Sequence, residues 1–196
     1  GTVSPTSDIE TVRSEALRKV GRNVVNFQKV EACLKFLVTI CNTAGTQTTL
    51  MNNIHEEAAR VHREPLGNLA TSLNRCVFDG RDEPVAPEDL SELWASFSLR
   101  VDGDADSNSQ RKRALRALVT ARNNLIHQDL ARIDYDSVPS CRELIELLDA
   151  QNPRILEQLS ALRALIDSFK SNIAELKAWV DSDNFLRQFE SRSTDA

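Results

Sequence analysis

An arginine and a histidine stand five positions apart, with amides between them, in the segment Ala121-Arg122-Asn123-Asn124-Leu125-Ile126-His127. Phosphodiester cleavage needs a proton shuttle that works near neutrality, and histidine is the side chain whose ordinary pKa lies there. It also needs a fixed cation for the phosphate. Arginine is permanently charged and offers a planar fork that matches phosphate oxygens. Both groups are carried here on one short segment.

The element that must position them reads as an amphipathic helix. From Arg111 to His127 the apolar residues Leu115, Leu118, Val119, Leu125 and Ile126 recur at helical spacing and define a stripe for burial. At about 100° per residue Arg122 falls inside that stripe, level with Leu115 and Leu118. A permanent charge on a core face is costly unless it is paired or opens onto a polar cleft. Lys112, Arg116, Asn123 and His127 share one flank of the stripe, with His127 roughly 140° from Arg122 on an ideal helix. The two converge if a groove runs round that flank, or if the helix ends near Gln128. Charge points to the same place. The chain is acidic, with 24 basic and 29 acidic residues and a net charge of −5, which argues against a general polyanion-coating protein. Yet no acidic residue lies between Asp106 and Asp129, where Arg111, Lys112, Arg113, Arg116 and Arg122 all fall. Such a local strip suits a short phosphate backbone, with Lys112 and Arg116 as the RNA-binding candidates. Arg111, Lys112 and Arg113 are equally compatible with solvated residues in the first turns of a helix.

At Arg122-Asn123-Asn124-Leu125-Ile126-His127 the chain resembles the HEPN superfamily (higher eukaryote and prokaryote nucleotide-binding domains), whose signature is Arg, a polar residue, a few further residues and His near the end of a helix. The resemblance implies an all-α fold and a metal-independent endoribonuclease of the toxin–antitoxin or phage-defence kind, needing no cofactor. It implies that His127 acts as general acid or base toward the ribose 2′-hydroxyl and the leaving 5′-oxygen. Arg122 would stabilise charge on the phosphorane-like transition state, and Asn123 would orient the phosphate or the Arg. It further implies a homodimer with the motifs facing across a composite site, and an antitoxin or another defence-system protein as a possible partner. One toxin branch of the family carries a modifiable tyrosine two positions past the histidine. Here that position is Asp129 and the chain's single tyrosine is Tyr135, so neutralisation by tyrosine adenylylation does not carry over.

The remaining chain reads as helix nearly throughout. Ser7-Asp8-Ile9-Glu10 looks like a capping box, followed by Ala16, Val20, Val24, Phe27, Val30, Leu34, Leu37 and Cys41 at helical spacing, ending near Asn42–Gly45. A second helix is expected over Thr48–Arg63, and Pro65 suits the first turn of a third that carries Leu66, Leu69 and Leu73. Asp79-Gly80 opens a loop that lasts to Pro87. Phe97, Leu99 and Val101 alternate with polar residues as in a strand, but with no strand to pair with, an irregular extended segment fits equally well. Asp102–Ser109 lacks the ligand spacing of a calcium loop and reads as a flexible lead-in to the motif helix. Leu148, Asn152, Ile155, Leu159, Leu162, Ile166, Phe169, Ile173, Leu176 and Val180 follow a heptad rhythm. This stripe serves either for packing on the first helix or, in part, for a dimer interface. Asn152-Pro153 reads as a helix start or a kink, and Asp183–Leu186 as a short closing helix.

Cys33, Cys41, Cys76 and Cys141 form no C-x-x-C pair and read as small core hydrophobes in a reducing compartment. His55 and His62 lack metalloprotease spacing and belong on a solvent-facing helix. No apolar run reaches ~20 residues and no signal peptide is read, so a cytoplasmic protein that does not cross a membrane is expected. The expected architecture is an all-α, up-and-down helical bundle with long N- and C-terminal helices. It is divided into a flexible segment 1–7, a single helical domain 8–190 and a polar tail 191–196. The rival to the ribonuclease is a non-catalytic helical interaction module in which Arg122 makes a buried ion pair, or an antitoxin-type partner-binding protein.

Overall fold

Thirty-eight residues, with no helix breaker past the initial Pro5 other than Gly21, build the first element, α1 (Pro5–Asn42). In the computed structural model, which describes residues 5–80, 84–89 and 91–181, it is followed by β1 (Ala44–Thr46), α2 (Leu50–His62), α3 (Leu66–Val77), β2 (Trp94–Ser96) and α4 (Ala105–Asn124). A π-helical turn (Leu125–Asp129), the single turn α5 (Leu130–Arg132) and the long α6 (Val138–Val180) complete it. The chain divides into two compact units, Gly1–Leu162 and Arg163–Ala196. Helix α1 starts inside the segment expected to be flexible. The expected closing helix at 183–186 and the tail 191–196 lie outside the described residues.

In the first unit the long N- and C-terminal helices pack together, running in the same direction. Phe27, Val30, Leu34 and Leu37 of α1 and Leu144, Leu148 and Ile155 of α6 are all buried. The seam also carries amides. Asn23, fully buried, donates from Nδ2 to the Leu148 carbonyl (2.9 Å) and to Gln151 Oε1 (3.0 Å), and Asn26 Nδ2 donates to Asn152 Oδ1 (2.9 Å). At the exposed edge Lys19 and Arg22 grip Asp149. Pro153 lies beside this stretch: it has no N–H for the carbonyl four residues back, that of Asp149, and its ring crowds that carbonyl. The donors from α1 meet the carbonyl one residue earlier, that of Leu148. Helix α6 nonetheless continues through Pro153, and Asn152 accepts from Asn26 instead of capping a new helix.

Helix α4 returns antiparallel to α3. Lys112 is ion-paired to Asp79, just beyond the end of α3, while Gly67 at the start of α3 backs onto Val119. Its start corrects one expectation. Asp104 is the N-cap, accepting the Ser107 N–H at 2.6 Å, so the acidic lead-in is a capped helix start at Ala105 and not a flexible arm before Arg111. Phe97, Leu99 and Val101 lie in an irregular segment, as one of the two readings had it, but a strand does form just before them, at Trp94–Ser96, pairing antiparallel with Ala44–Thr46 (Ala44 with Ser96, Gly45 with Ala95, Thr46 with Trp94). The pairing uses the residues that ended α1. Gly45 is needed there, because a Cβ would stand 2.9 Å from both Asn53 Nδ2 and Thr49 Oγ1. Gly80, at φ +63°, turns the chain after α3.

Candidate active site

Leu115, Leu118 and Leu125 are buried along the line the periodicity marks, and Arg122, on that same line, is half-buried. No carboxylate meets it. Its Nη1 donates to Asn123 Oδ1 at 3.1 Å, and no ion pair forms at Arg122 among the described residues. A guanidinium at the margin of a core cannot leave its charge among leucines. Here it leans toward the exposed flank and takes an amide oxygen there, which leaves the charge unneutralised.

The helix does not end at Gln128. Leu125 N–H bonds to the carbonyls of Ala121 and Arg122, and Leu130 N–H then reaches back to the Leu125 carbonyl, an i→i+5 ring. Such a ring closes around one more residue than an α-turn. Each residue past Leu125 therefore turns the chain through less than about 100°, and the roughly 140° between Arg122 and His127 on an ideal helix shrinks. The widened turn keeps Leu125 in the core while His127 projects, exposed, on the flank that carries Arg116 and Asn123. Short π segments within α-helices are frequent at functional sites. The chain leaves the helix at Ile133, whose extended backbone (φ −71°, ψ 126°) ends α5.

Along the flank Arg113, Arg116, Asn123 and His127 are exposed, and the guanidinium groups of Arg113 and Arg116 form no ion pair among the described residues. Lys112 differs: it is tied to Asp79, so its ammonium is already neutralised at the α3–α4 corner. Of the two RNA-binding candidates only Arg116 stands free to meet a phosphate. Tyr135 sits half-buried in the turn before α6, its carbonyl accepting from Arg13 Nε at 2.8 Å. His55 and His62 are exposed on α2, Cys41 and Cys141 are buried, and no cluster of metal-ligating residues occurs among the described residues.

One feature lies beside the motif flank. A groove of about 600 Å³ separates α4 from α6, floored by Ala114, Ala117 and Ala121 and rimmed by Leu147, Gln151 and Arg154. Asn124 and Asp129 line it, whereas Arg122 and His127 do not. Gln151 crosses its end, reaching the Ala121 carbonyl at 3.5 Å. The three alanines at helical spacing were the available signal, since small residues on a helix face leave room beside it. Among the described residues no helix is long and apolar enough to cross a membrane. No family model matches the chain, and neither a curated protein nor a solved structure matches it significantly.

Proposed function

We propose that the chain is a metal-independent endoribonuclease of the HEPN kind. The observation that carries this is the pairing of an unneutralised, half-buried Arg122 with a π-turn that presents His127 to solvent. In the reaction the ribose 2′-oxygen attacks phosphorus and the bond to the 5′-oxygen breaks. His127 takes the 2′-hydroxyl proton or gives one to the departing oxygen, according to its protonation state. Arg122 stabilises the charge that builds on the non-bridging oxygens, and Asn123 holds the guanidinium in place through its amide oxygen. Arg116 lies along the same flank to receive a neighbouring phosphate. A second protomer supplies its own Arg122 and His127 opposite the first, and an antitoxin or defence-system partner controls the pair. A 2′,3′-cyclic phosphate and a 5′-hydroxyl result, and DNA, lacking the nucleophile, is left intact.

The rival interaction module calls for a buried ion pair at Arg122. The bond to exposed Asn123 favours the catalytic alternative. Purified protein incubated with total RNA in excess EDTA, followed by end-group analysis, tests it. Cyclic phosphate ends that disappear in His127→Ala and Arg122→Ala, with helicity unchanged, are expected. Cleavage that survives either substitution, or 3′-hydroxyl ends that vanish with EDTA, overturns it.

A further inference from the structure

The groove between α4 and α6 lies wholly in the first unit and carries polar groups without partners. Asn124, Asp129, Arg154, Glu157 and Gln158 line it, and none of their side chains makes a hydrogen bond or ion pair among the described residues. Arg154 and Glu157 are the sharpest case. They stand three residues apart on α6, a spacing at which opposite charges are neighbours, yet no ion pair joins them. Between these groups the walls are apolar and cut back. Ala114, Ala117 and Ala121 line the α4 side and Ala150 the α6 side, with Leu118 and Leu147 beside them. At about 600 Å³ the space is of the size that holds a small organic molecule.

We infer that this groove is a guanine site, taking the unstacked base of an RNA nucleotide whose phosphate lies on the arginine flank of α4. The alanine and leucine walls suit a flat body with apolar faces, and the edge groups select which base. Guanine alone among the four presents two parallel donors, N1–H and N2–H, beside two acceptors, O6 and N7. The Glu157 carboxylate accepts from the donor pair and the Arg154 guanidinium donates to the acceptor pair. Adenine, cytosine and uracil offer a carboxylate one donor group, flanked by an acceptor that repels it. The phosphate end fits as well. Arg113 and Arg116 precede Ala117 within about one turn of α4, exposed and without ion pairs. Asn124 follows Asn123 in the chain and Asp129 comes two residues after His127, so the groove borders the motif segment. The site's role, fixing which base stands beside the cut, rests on the ribonuclease reading; its guanine chemistry does not.

Titration calorimetry of the full chain with GMP, AMP, CMP and UMP, in the absence of RNA, tests it. GMP should bind about tenfold more tightly than the other three. Inosine monophosphate, which lacks only the 2-amino group, should bind several-fold more weakly than GMP, and Glu157→Gln should remove that difference. Arg154→Ala should weaken GMP binding about tenfold, and Ala117→Leu, which fills the groove from an exposed position, should weaken it at least as much. Glu143→Gln, exposed on α6 outside the groove, should change nothing. Circular dichroism of each variant separates loss of binding from loss of helix. GMP that fails to bind at millimolar concentration, equal affinity for the four nucleotides, or an affinity indifferent to Ala117→Leu overturns the guanine site. Sequencing the 5′-hydroxyl ends made from randomised RNA gives a second readout, with guanine enriched beside the cut in the parent chain and less so in Glu157→Gln. Cleavage without base preference overturns the site's role in the reaction. GMP binding by a chain that cuts no RNA supports the guanine site and overturns the ribonuclease reading alone.

Discussion

At the scale of single residues, the candidate site depends on how Arg122 is held. Its guanidinium has a neutral amide as partner, so its charge stays available to a phosphate. Arg122→Lys keeps the charge but gives up the planar fork, and RNA cleavage should fall by about 10²-fold, close to the loss of one well-placed transition-state donor. Single-turnover rates on a 2′-hydroxyl substrate read this, and the melting temperature should scarcely move. Two glycines show how local surroundings decide the sign of the same change. Gly45→Ala forces a methyl to within 2.9 Å of Asn53 Nδ2 and Thr49 Oγ1 and should destabilise by about 1–3 kcal/mol. Gly21→Ala, mid-helix and with nothing within 4 Å of the new carbon, should stabilise by roughly 0.5–1 kcal/mol through helix propensity. Urea unfolding of the two variants checks both signs.

At the scale of elements, α1 and α6 are locked by polar groups as well as by leucines. Asn26 and Asn152 answer each other across the seam, and a part-buried amide pair of this kind penalises a slipped register, because sliding one helix would leave both amides unpaired. On the seam's wet edge the Lys19 ammonium, hydrogen-bonded to Asp149, holds that carboxyl below its ordinary pKa. Partial desolvation opposes this, and a second hydrogen bond from Arg22 adds to it. A depressed folded-state pKa gives stability that is fully present above the ordinary aspartate range and is lost as pH falls through the lowered value. Denaturant midpoints of the parent chain should therefore drop on acidification below that range. Asp149→Asn should lower the midpoint at neutral pH and flatten the acid limb. An unchanged acid limb in that variant would show that the clamp contributes nothing to the coupling.

At the scale of the whole molecule, an acidic chain carries on α4 three arginines, Arg113, Arg116 and Arg122, that form no ion pair among the described residues. If RNA binds as proposed, most of the acidic surface repels it and Arg113, Arg116 and Arg122 are the α4 cations available to its phosphates. If those three neutralise phosphates, the logarithm of RNA affinity should fall with the logarithm of salt concentration with a slope near about −2 for a single strand. Arg116→Ala should reduce the slope by about 0.7. Filter binding of an uncleavable RNA to His127→Ala protein over a salt series measures both. Equal slopes for the two proteins would place the strand elsewhere.

Much of this was legible in the sequence because it depends on nearest neighbours along the chain. Period alone marked α1, α2 and α3 and the burial of Leu115, Leu118 and Leu125, while Arg122, Asn123 and His127 are the candidates on which the proposed function rests. What tertiary structure decided involves partners distant in sequence. The segment at 94–96 becomes a strand because Ala44–Thr46, some fifty residues away, is there to pair with it. Helix α6 continues through Pro153 beside a stretch where α1 supplies an amide and a guanidinium to the Leu148 carbonyl. Lys112 is withdrawn from the basic strip because Asp79 comes alongside. The π-turn that brings His127 round toward Asn123 is likewise a property of the packed chain: helical spacing fixes angles only while every turn is an α-turn, and one extra residue in one ring changes which groups share a face.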